Sequence, residues 1–462
     1  MAAAIEVISP VDGSLYVRRD YATSAEIDRV LRDAVVAQRQ WRQATLSERA
    51  ALCSAMVDHF AAQADCHAEE LAWQMGRPVR YGQGEVNGFI ERARHMIAIA
   101  EDALSDVAVG ADDQALRYIK RVPLGVVFTI APWNYPYLTA VNSIVPAIMA
   151  GNAVVIKHAA QTPLCAERIC EAFTASGADN GLVQCLHLTH QQTAAVIGTP
   201  GIAHVAFTGS VPGGEAIERA AAGRFIGVGL ELGGKDPAYV RADAPFDHTV
   251  ENLVDGAFFN SGQSCCGIER IYVHADIHDA FVDAFVDQVR GYRLGNPLDA
   301  ETTLGPVVRA SAAEFVRGQI AEAGTQGARA LIRSKDFPEQ DAKSAYLAPQ
   351  VLVGVDHSMR VMTEESFGPV VGIMAVDSDT EAVELMNDSP FGLTASVWTA
   401  DRAAAQRIGD AVETGTLFMN RCDYLDPALA WTGVKNSGRG CTLSKVGYDA
   451  LTRPKSYNLR MV

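Results

Sequence analysis

No stretch of this chain reaches 18 consecutive apolar residues, so no segment is expected to span a membrane as a helix. Basic residues are in deficit: 39 Lys and Arg stand against 55 Asp and Glu, a formal charge of −16. A net negative surface repels phosphate backbones and anionic lipid, which argues against nucleic acid or membrane as partner. Cysteine is sparse, nine residues with no Cys-x-x-Cys pair and no Cys/His cluster of metal-ligand spacing. Neither a disulfide framework nor a metal centre is therefore expected, and such usage fits a reducing cytoplasm. The segment Met1–Pro10 lacks a basic start and a long apolar run, so no signal peptide is expected there. Low-complexity tracts and repeats of solenoid period are lacking too.

What remains is the composition of a soluble enzyme, 48% hydrophobic and 20% charged, long enough at 462 residues for two or three domains. The first third reads as helical. Thr23 with Glu26 and Thr45 with Glu48 fit the capping box, and Leu52, Ala55, Met56 and Phe60 recur at helical spacing. Gly76 and Pro78 punctuate the next helix.

From about residue 115 short β-rich runs appear: Leu116–Arg121, Val126–Ile130, Ala153–Ile156, Leu182–Leu188 and His204–Thr208. Helical stretches such as Thr162–Ser176 separate the later ones, a repetition that predicts a doubly wound parallel sheet. Such sheets bind nucleotides beyond the carboxyl ends of their strands. A second alternation from Glu231 to about residue 430 includes Ile271–His274, Val351–Val353, Val370–Ala375 and Ser396–Thr399. It predicts a second α/β domain. The extended tail Ser456–Val462 is expected to pair with a partner's strand edge.

Four segments carry chemistry. They are Ala131-Pro132-Trp133-Asn134-Tyr135-Pro136, Glu231-Leu232-Gly233-Gly234-Lys235, Phe259-Asn260-Ser261-Gly262-Gln263-Ser264-Cys265-Cys266 and Glu364-Glu365-Ser366-Phe367-Gly368-Pro369. Each alone says little. In this order, with a spacing of 34 positions from Glu231 to Cys265, they resemble the aldehyde dehydrogenase superfamily over nearly the whole chain. Gly151–Lys157, Phe207-Thr208-Gly209-Ser210 and Ser437-Gly438-Arg439-Gly440 are similar to further landmarks of that family.

The resemblance implies an NAD(P)-dependent oxidation of an aldehyde to a carboxylic acid. Cys265 is then the nucleophile, a role a thiolate fills because it attacks well near neutral pH and leaves well afterwards. Cys266 is the rival, but the family pattern Gly-Gln-x-Cys puts the nucleophile two residues after Gln263. A cysteine is more often an inert buried thiol; the Gly/Gln/Ser loop argues against that here. Asn134 and the Cys265 N–H stand as oxyanion donors, each worth about 10²–10³ in rate. A plain turn role for Asn134, between Trp133 and Pro136, is compatible with that. Glu231 stands as the base that activates water, provided that partial burial raises its pKa. Its neighbours Leu230 and Leu232 make an ordinary surface charge the poorer reading.

For the cofactor the resemblance points to Trp133, Lys157, Gly209, Ser210, Gly213, Leu232, Glu365 and Phe367. Gly209 and Ser210 open a helix whose free N–H groups suit a pyrophosphate. Ala160 stands where many NAD-preferring relatives carry a glutamate that repels a 2′-phosphate. With Lys157 and His158 nearby, NADP is expected to be accepted. Lys445 occupies an acidic position of some relatives, and no mechanism accounts for Glu269. The aldehyde entrance is expected to comprise Tyr135, Arg421, Tyr424 and Trp431. Arg421 suits a carboxylate-bearing semialdehyde; Asp423, Asp426, Tyr424 and Trp431 suit a cationic aminoaldehyde; solvated loop charges are the bland alternative.

The fold implied is an aldehyde dehydrogenase-like α/β fold in three parts. A Rossmann-type cofactor domain comprises 1–101 and 124–231, and a catalytic domain 232–441. Segments 102–123 and 442–462 form a small β part for oligomerisation, giving a homodimer or homotetramer. Two other readings keep the fold: transfer of the acyl group to coenzyme A, which has no need of Glu231, and a catalytically silent protein, against which intact Asn134, Glu231 and Cys265 argue.

Overall fold

The computed structural model describes residues 4–112, 115–341 and 343–460; the ends of the Met1–Pro10 and Ser456–Val462 segments lie outside them. Its first sheet has the order Gly438–Arg439, Gly227–Glu231, Ile202–Thr208, Val126–Ala131, Ala153–His158, Val183–Cys185. The five central and distal strands are parallel, and only Gly438–Arg439 runs against them. Val126–Ala131 is buried along its whole length, as a strand covered by helices on both faces must be. Successive strands run one way from Val126–Ala131 and the other way from Ile202–Thr208. The chain thus reverses direction in the sheet between these two neighbours, and a crevice opens beyond their carboxyl ends.

The second sheet orders Arg329–Ala330, Gln350–Val353, Val370–Val376, Ile268–His274, Asp236–Val240, Thr394–Trp398 and Thr416–Met419. All its pairs are parallel except the first. A third, antiparallel sheet sets Ala115–Pro123 between Val107–Asp112 and Thr452–Arg460. The tail pairs within its own chain along one edge, Ser456 opposite Ile119 and Arg460 opposite Ala115, and is the outer strand of this sheet.

Two local expectations change. The first third is not helical throughout: a hairpin of Ala4–Ile8 and Leu15–Asp20 precedes the helices and seats Ile5, Val7 and Val17 against Leu164. Its strands are short and half exposed, so their alternation was hidden among charges. Leu182–Leu188 contracts to Val183–Cys185, which has one neighbouring strand and leaves the sheet early. Thr45 and Glu48 form the reciprocal capping box, whereas Thr23 caps one way, accepting only from the Glu26 N–H.

Candidate active site

The loop after helix Phe246–Phe258 turns through three consecutive left-handed residues, Asn260 (φ 53°), Ser261 (φ 56°) and Gly262 (φ 71°). A β-carbon on Gly262 would meet the Gly368 carbonyl, so the loop packs directly on the Glu364–Pro369 segment. Gln263 pins it, donating to Asn260 O at 3.0 Å and accepting from the Val308 N–H at 2.7 Å. This geometry carries Cys265 to the place where two cavities meet: its side chain is half-buried and lines both. Cys266 is buried, and its Sγ donates to Asp423 Oδ1 at 3.0 Å; the adjacent Cys265 thiol and burial push its pKa up. The two adjacent cysteines thus differ: one faces cavities, the other is spent on a carboxylate.

Asn134 follows the carboxyl end of Val126–Ala131. One of its amide N–H groups donates to Gln263 O at 3.1 Å, which fixes the amide plane and leaves the second N–H for another acceptor. Its backbone carbonyl accepts from Arg77 Nη2 at 2.6 Å and Asn260 Nδ2 at 3.2 Å. Arg77 is fully buried and ion-paired with Glu85, whose other oxygen accepts the N–H groups of Tyr137 and Leu138 at 3.0 Å each. Those are free donors of the first turn of helix Pro136–Met149. Charge and helix end together hold the Trp133–Tyr135 turn.

Glu231 ends the strand Gly227–Glu231 and lines the cavity with Cys265. Thr442 Oγ1 donates to it at 2.6 Å and Thr208 Oγ1 at 3.1 Å. Burial raises its pKa above the ordinary carboxylate value; the two hydroxyls and the charge of Arg92 oppose that rise. The following glycines have no room for side chains. A β-carbon at Gly234 would run into the Cys265 carbonyl, and one at Gly233 would come within 2.5 Å of Glu365 Oε2.

The first cavity, about 490 Å³, lies beyond the carboxyl ends of the parallel strands. Trp133, Lys157, Gly209, Ser210, Gly213, Leu232, Glu365 and Phe367 all line it. Gly209 and Gly213 pack against Phe207 so closely that a β-carbon on either would strike its ring, which leaves the opening of helix Val211–Ala221 with little more than the Ser210 side chain, whose Oγ accepts the Gly213 N–H at 3.3 Å. The ammonium of Lys157 is half-buried in the wall, and among the described residues no carboxylate pairs with it; burial lowers its pKa. A half-buried cation without an ion-paired carboxylate and a glycine-lined helix start suit an anionic, pyrophosphate-bearing dinucleotide, so the residues present fit a nicotinamide cofactor. Glu365 accepts the Gly234 N–H at 2.8 Å, and burial, with Glu269 nearby, raises its pKa to about 7. Trp133 and Phe367 meet edge to face, ring centres 5.5 Å apart.

His158 belongs elsewhere. Its ring is buried, with no hydrogen-bond partner of good geometry among the described residues, and burial drives its pKa to about 3, so it stays neutral. It adds no cation to Lys157. Ala160 is exposed, one residue past Ala159 in the wall. His190, Thr193 and Arg309 also line this cavity, and nothing in their sequence surroundings signalled it. Glu269 acquires a role: it is buried, ion-pairs with Lys235, and accepts the N–H groups of Ser366 at 2.8 Å and Phe367 at 2.9 Å.

The second cavity, about 410 Å³, opens on the other side of Cys265. Tyr135, Tyr424 and Trp431 line it with Tyr81, Phe259 and Asp255. Arg421 does not; it is exposed, its guanidinium 3.3 Å from the centre of the Tyr424 ring. Asp423 turns inward to Ser264 and Cys266. Lys445 pairs with Asp102 at the surface, 2.7 Å away, and lines neither cavity.

Residues 1–457 match the model of the aldehyde dehydrogenase family. The chain is 33% identical to a succinate-semialdehyde dehydrogenase [NADP(+)] of Mycolicibacterium paratuberculosis over 98% of its own length and 96% of the relative's. It is 34% identical to a 3,6-anhydro-alpha-L-galactose dehydrogenase of Streptomyces coelicolor, covering 99% and 93%. Among solved structures, succinic semialdehyde dehydrogenase from Streptococcus pyogenes in complex with NADP+ superposes with a TM-score of 0.94 at 28% identity, over 99% of this chain and 100% of that one.

Proposed function

The chain belongs to the aldehyde dehydrogenase family, and we propose that it oxidises an aldehyde to a carboxylic acid through a covalent adduct on Cys265, with NADP or NAD as cofactor. The observation that carries this reading is the position of Cys265, where the aldehyde-side and cofactor-side cavities meet with Glu231 and Asn134 on their walls.

The Cys265 thiolate attacks the aldehyde carbonyl, and the resulting oxyanion is received by the free N–H of Asn134 and the Cys265 backbone N–H. Collapse of this adduct expels hydride; the nicotinamide ring, when bound, supplies its acceptor. The acyl group is left on sulfur as a thioester. Glu231 takes a proton from water, the hydroxide attacks the thioester, and the acid departs as the Cys265 thiolate is regenerated.

Trp133, Lys157, Ala160, Gly209, Ser210, Gly213, Leu232, Glu365 and Phe367 are the residues that would hold the cofactor. NADP is favoured: no carboxylate stands at Ala160 to repel a 2′-phosphate, and Lys157 is at hand. The mycobacterial relative's name and the streptococcal complex, both with NADP, support this.

The division proposed is 1–101 with 124–231, 232–441, and 102–123 with 442–462; the three larger sheets support it, although Gly438–Arg439 crosses from the second part to pair in the first sheet. The three-stranded sheet serves subunit pairing in a dimer or tetramer, supported by exposed Val107, Val109, Leu116 and Leu459 on it. A nucleophilic thiol beside a second thiol works only where both stay reduced, which supports a cytoplasmic location. The test is reduction of NADP followed at its absorbance with an aldehyde panel, in wild type and Cys265→Ala. Turnover that survives the substitution overturns the mechanism.

A further inference from the structure

The aldehyde-side cavity contains a cation without an anion. Arg92, on helix Val79–Ala103, is buried and lines this cavity. Its Nη1 donates to Leu138 O at 2.6 Å and to Asn142 Oδ1 at 3.3 Å. Among the described residues nothing accepts from its Nε or Nη2, and no carboxylate forms an ion pair with it. Arg77, in the same cavity, is by contrast spent on Glu85, Asn134 and Asn260.

The neighbour of Arg92 repeats the pattern. Asn142 is 2% exposed and lines the same cavity. Its Oδ1 is turned to Arg92, so its Nδ2 carries the donors, and among the described residues that nitrogen has no partner. A buried guanidinium without an ion-paired anion and a buried amide nitrogen without an acceptor are costly to fold unless a ligand completes them.

The acidic groups of the cavity do not fill the vacancy. Asp423 accepts from Ser264 and Cys266, Glu85 is held by Arg77, and Glu231 by two threonines. Glu91 takes the Tyr424 hydroxyl at 3.5 Å, and Asp255 stands exposed at the rim.

Resting on the aldehyde dehydrogenase reading above, we propose that Arg92 and Asn142 bind a carboxylate on the substrate, so that the enzyme takes a semialdehyde: an aldehyde at Cys265 and a carboxylate at Arg92. A guanidinium edge and an amide N–H₂ side by side suit the two oxygens of one carboxylate. Arg421, the sequence's own candidate for this contact, lies outside the cavity.

The experiment compares kcat/KM for succinate semialdehyde and for butanal, an uncharged aldehyde of the same chain length. Wild type is expected to prefer the semialdehyde. In Arg92→Gln the ratio of the two values is expected to fall by about 10–100-fold, the worth of a hydrogen bond to a charged group, mainly through KM. Arg92→Lys should recover part of it. Asn142→Asp, which sets a negative charge beside the site, should lower the ratio too and stands in if Arg92→Gln does not fold. Equal losses on both aldehydes, with a shifted acidic limb of the pH profile, would mean that Arg92 serves Glu231 instead and would overturn the proposal. A wild type that oxidises both aldehydes equally well sinks this proposal alone; one that oxidises neither, nor any other aldehyde, sinks the underlying reading as well.

Discussion

Glu269 accepts the backbone N–H of Phe367 at 2.9 Å while its other oxygen ion-pairs with the buried Lys235. One carboxylate thus ties the end of the catalytic loop to the segment that carries Glu365 and Phe367 on the cofactor-side wall. Glu269→Gln is expected to raise the KM for NADP more than the KM for aldehyde. It also leaves Lys235 buried without its anion, a loss of about 3–5 kcal/mol by the usual cost of breaking a buried pair. Thermal denaturation alongside cofactor titration checks both; an unchanged melting temperature would contradict the ion pair's importance.

Cys265 and Cys266 should respond differently to substitution. Cys266→Ala removes a donor to Asp423 and little else, so most turnover should persist. Cys265→Ala should abolish it. Alkylation by iodoacetamide followed by peptide mapping gives the same ranking independently: Cys265, on the cavity walls, is modified first.

The pH dependence follows from Glu231. A base must be unprotonated to accept a proton, and burial raises this carboxylate's pKa. The acidic limb of kcat is therefore expected at higher pH than for an exposed glutamate. Thr442 donates to the charged form and holds the pKa down, so Thr442→Val should move that limb upward. Movement downward would show that another group limits the rate. Glu231→Gln should leave a burst of NADPH with slow turnover after it, because acyl transfer to Cys265 precedes the step that needs the base.

Gly234→Ala tests the packing of the loop. The added methyl collides with the Cys265 carbonyl, a backbone atom that cannot rotate away. The nucleophile must shift, and activity should fall by at least about 10²-fold, the scale associated with a misplacement of about 1 Å. Near-normal kinetics would mean that the loop is not held as tightly as this contact implies.

Ala160→Glu addresses cofactor choice. A carboxylate next to Ala159 in the cavity wall should repel a 2′-phosphate and reverse the preference toward NAD. Ratios of kcat/KM for the two cofactors, wild type against variant, measure it. A strong NAD preference in the wild type would refute the NADP assignment.

Much of this molecule was already legible in the order of its residues. The alternation of β-rich runs and helices determined two largely parallel sheets, because a parallel crossover needs an intervening helix. The spacing of Asn134, Glu231 and Cys265 marked three groups that the fold then placed around cavities meeting at one thiol. What lay outside reach was which way side chains point and which charges are paired. Lys157 and His158 are neighbours on a strand buried on both faces, so no polar alternation told that one faces the cofactor-side cavity and the other is buried. Arg77 with Glu85 and Arg92 beside Asn142 lie outside the motifs, and Lys235, though it ends one, finds its partner Glu269 34 residues away. Buried polar groups take their meaning from partners that only the folded chain brings within hydrogen-bond distance, and that decision belongs to the tertiary structure.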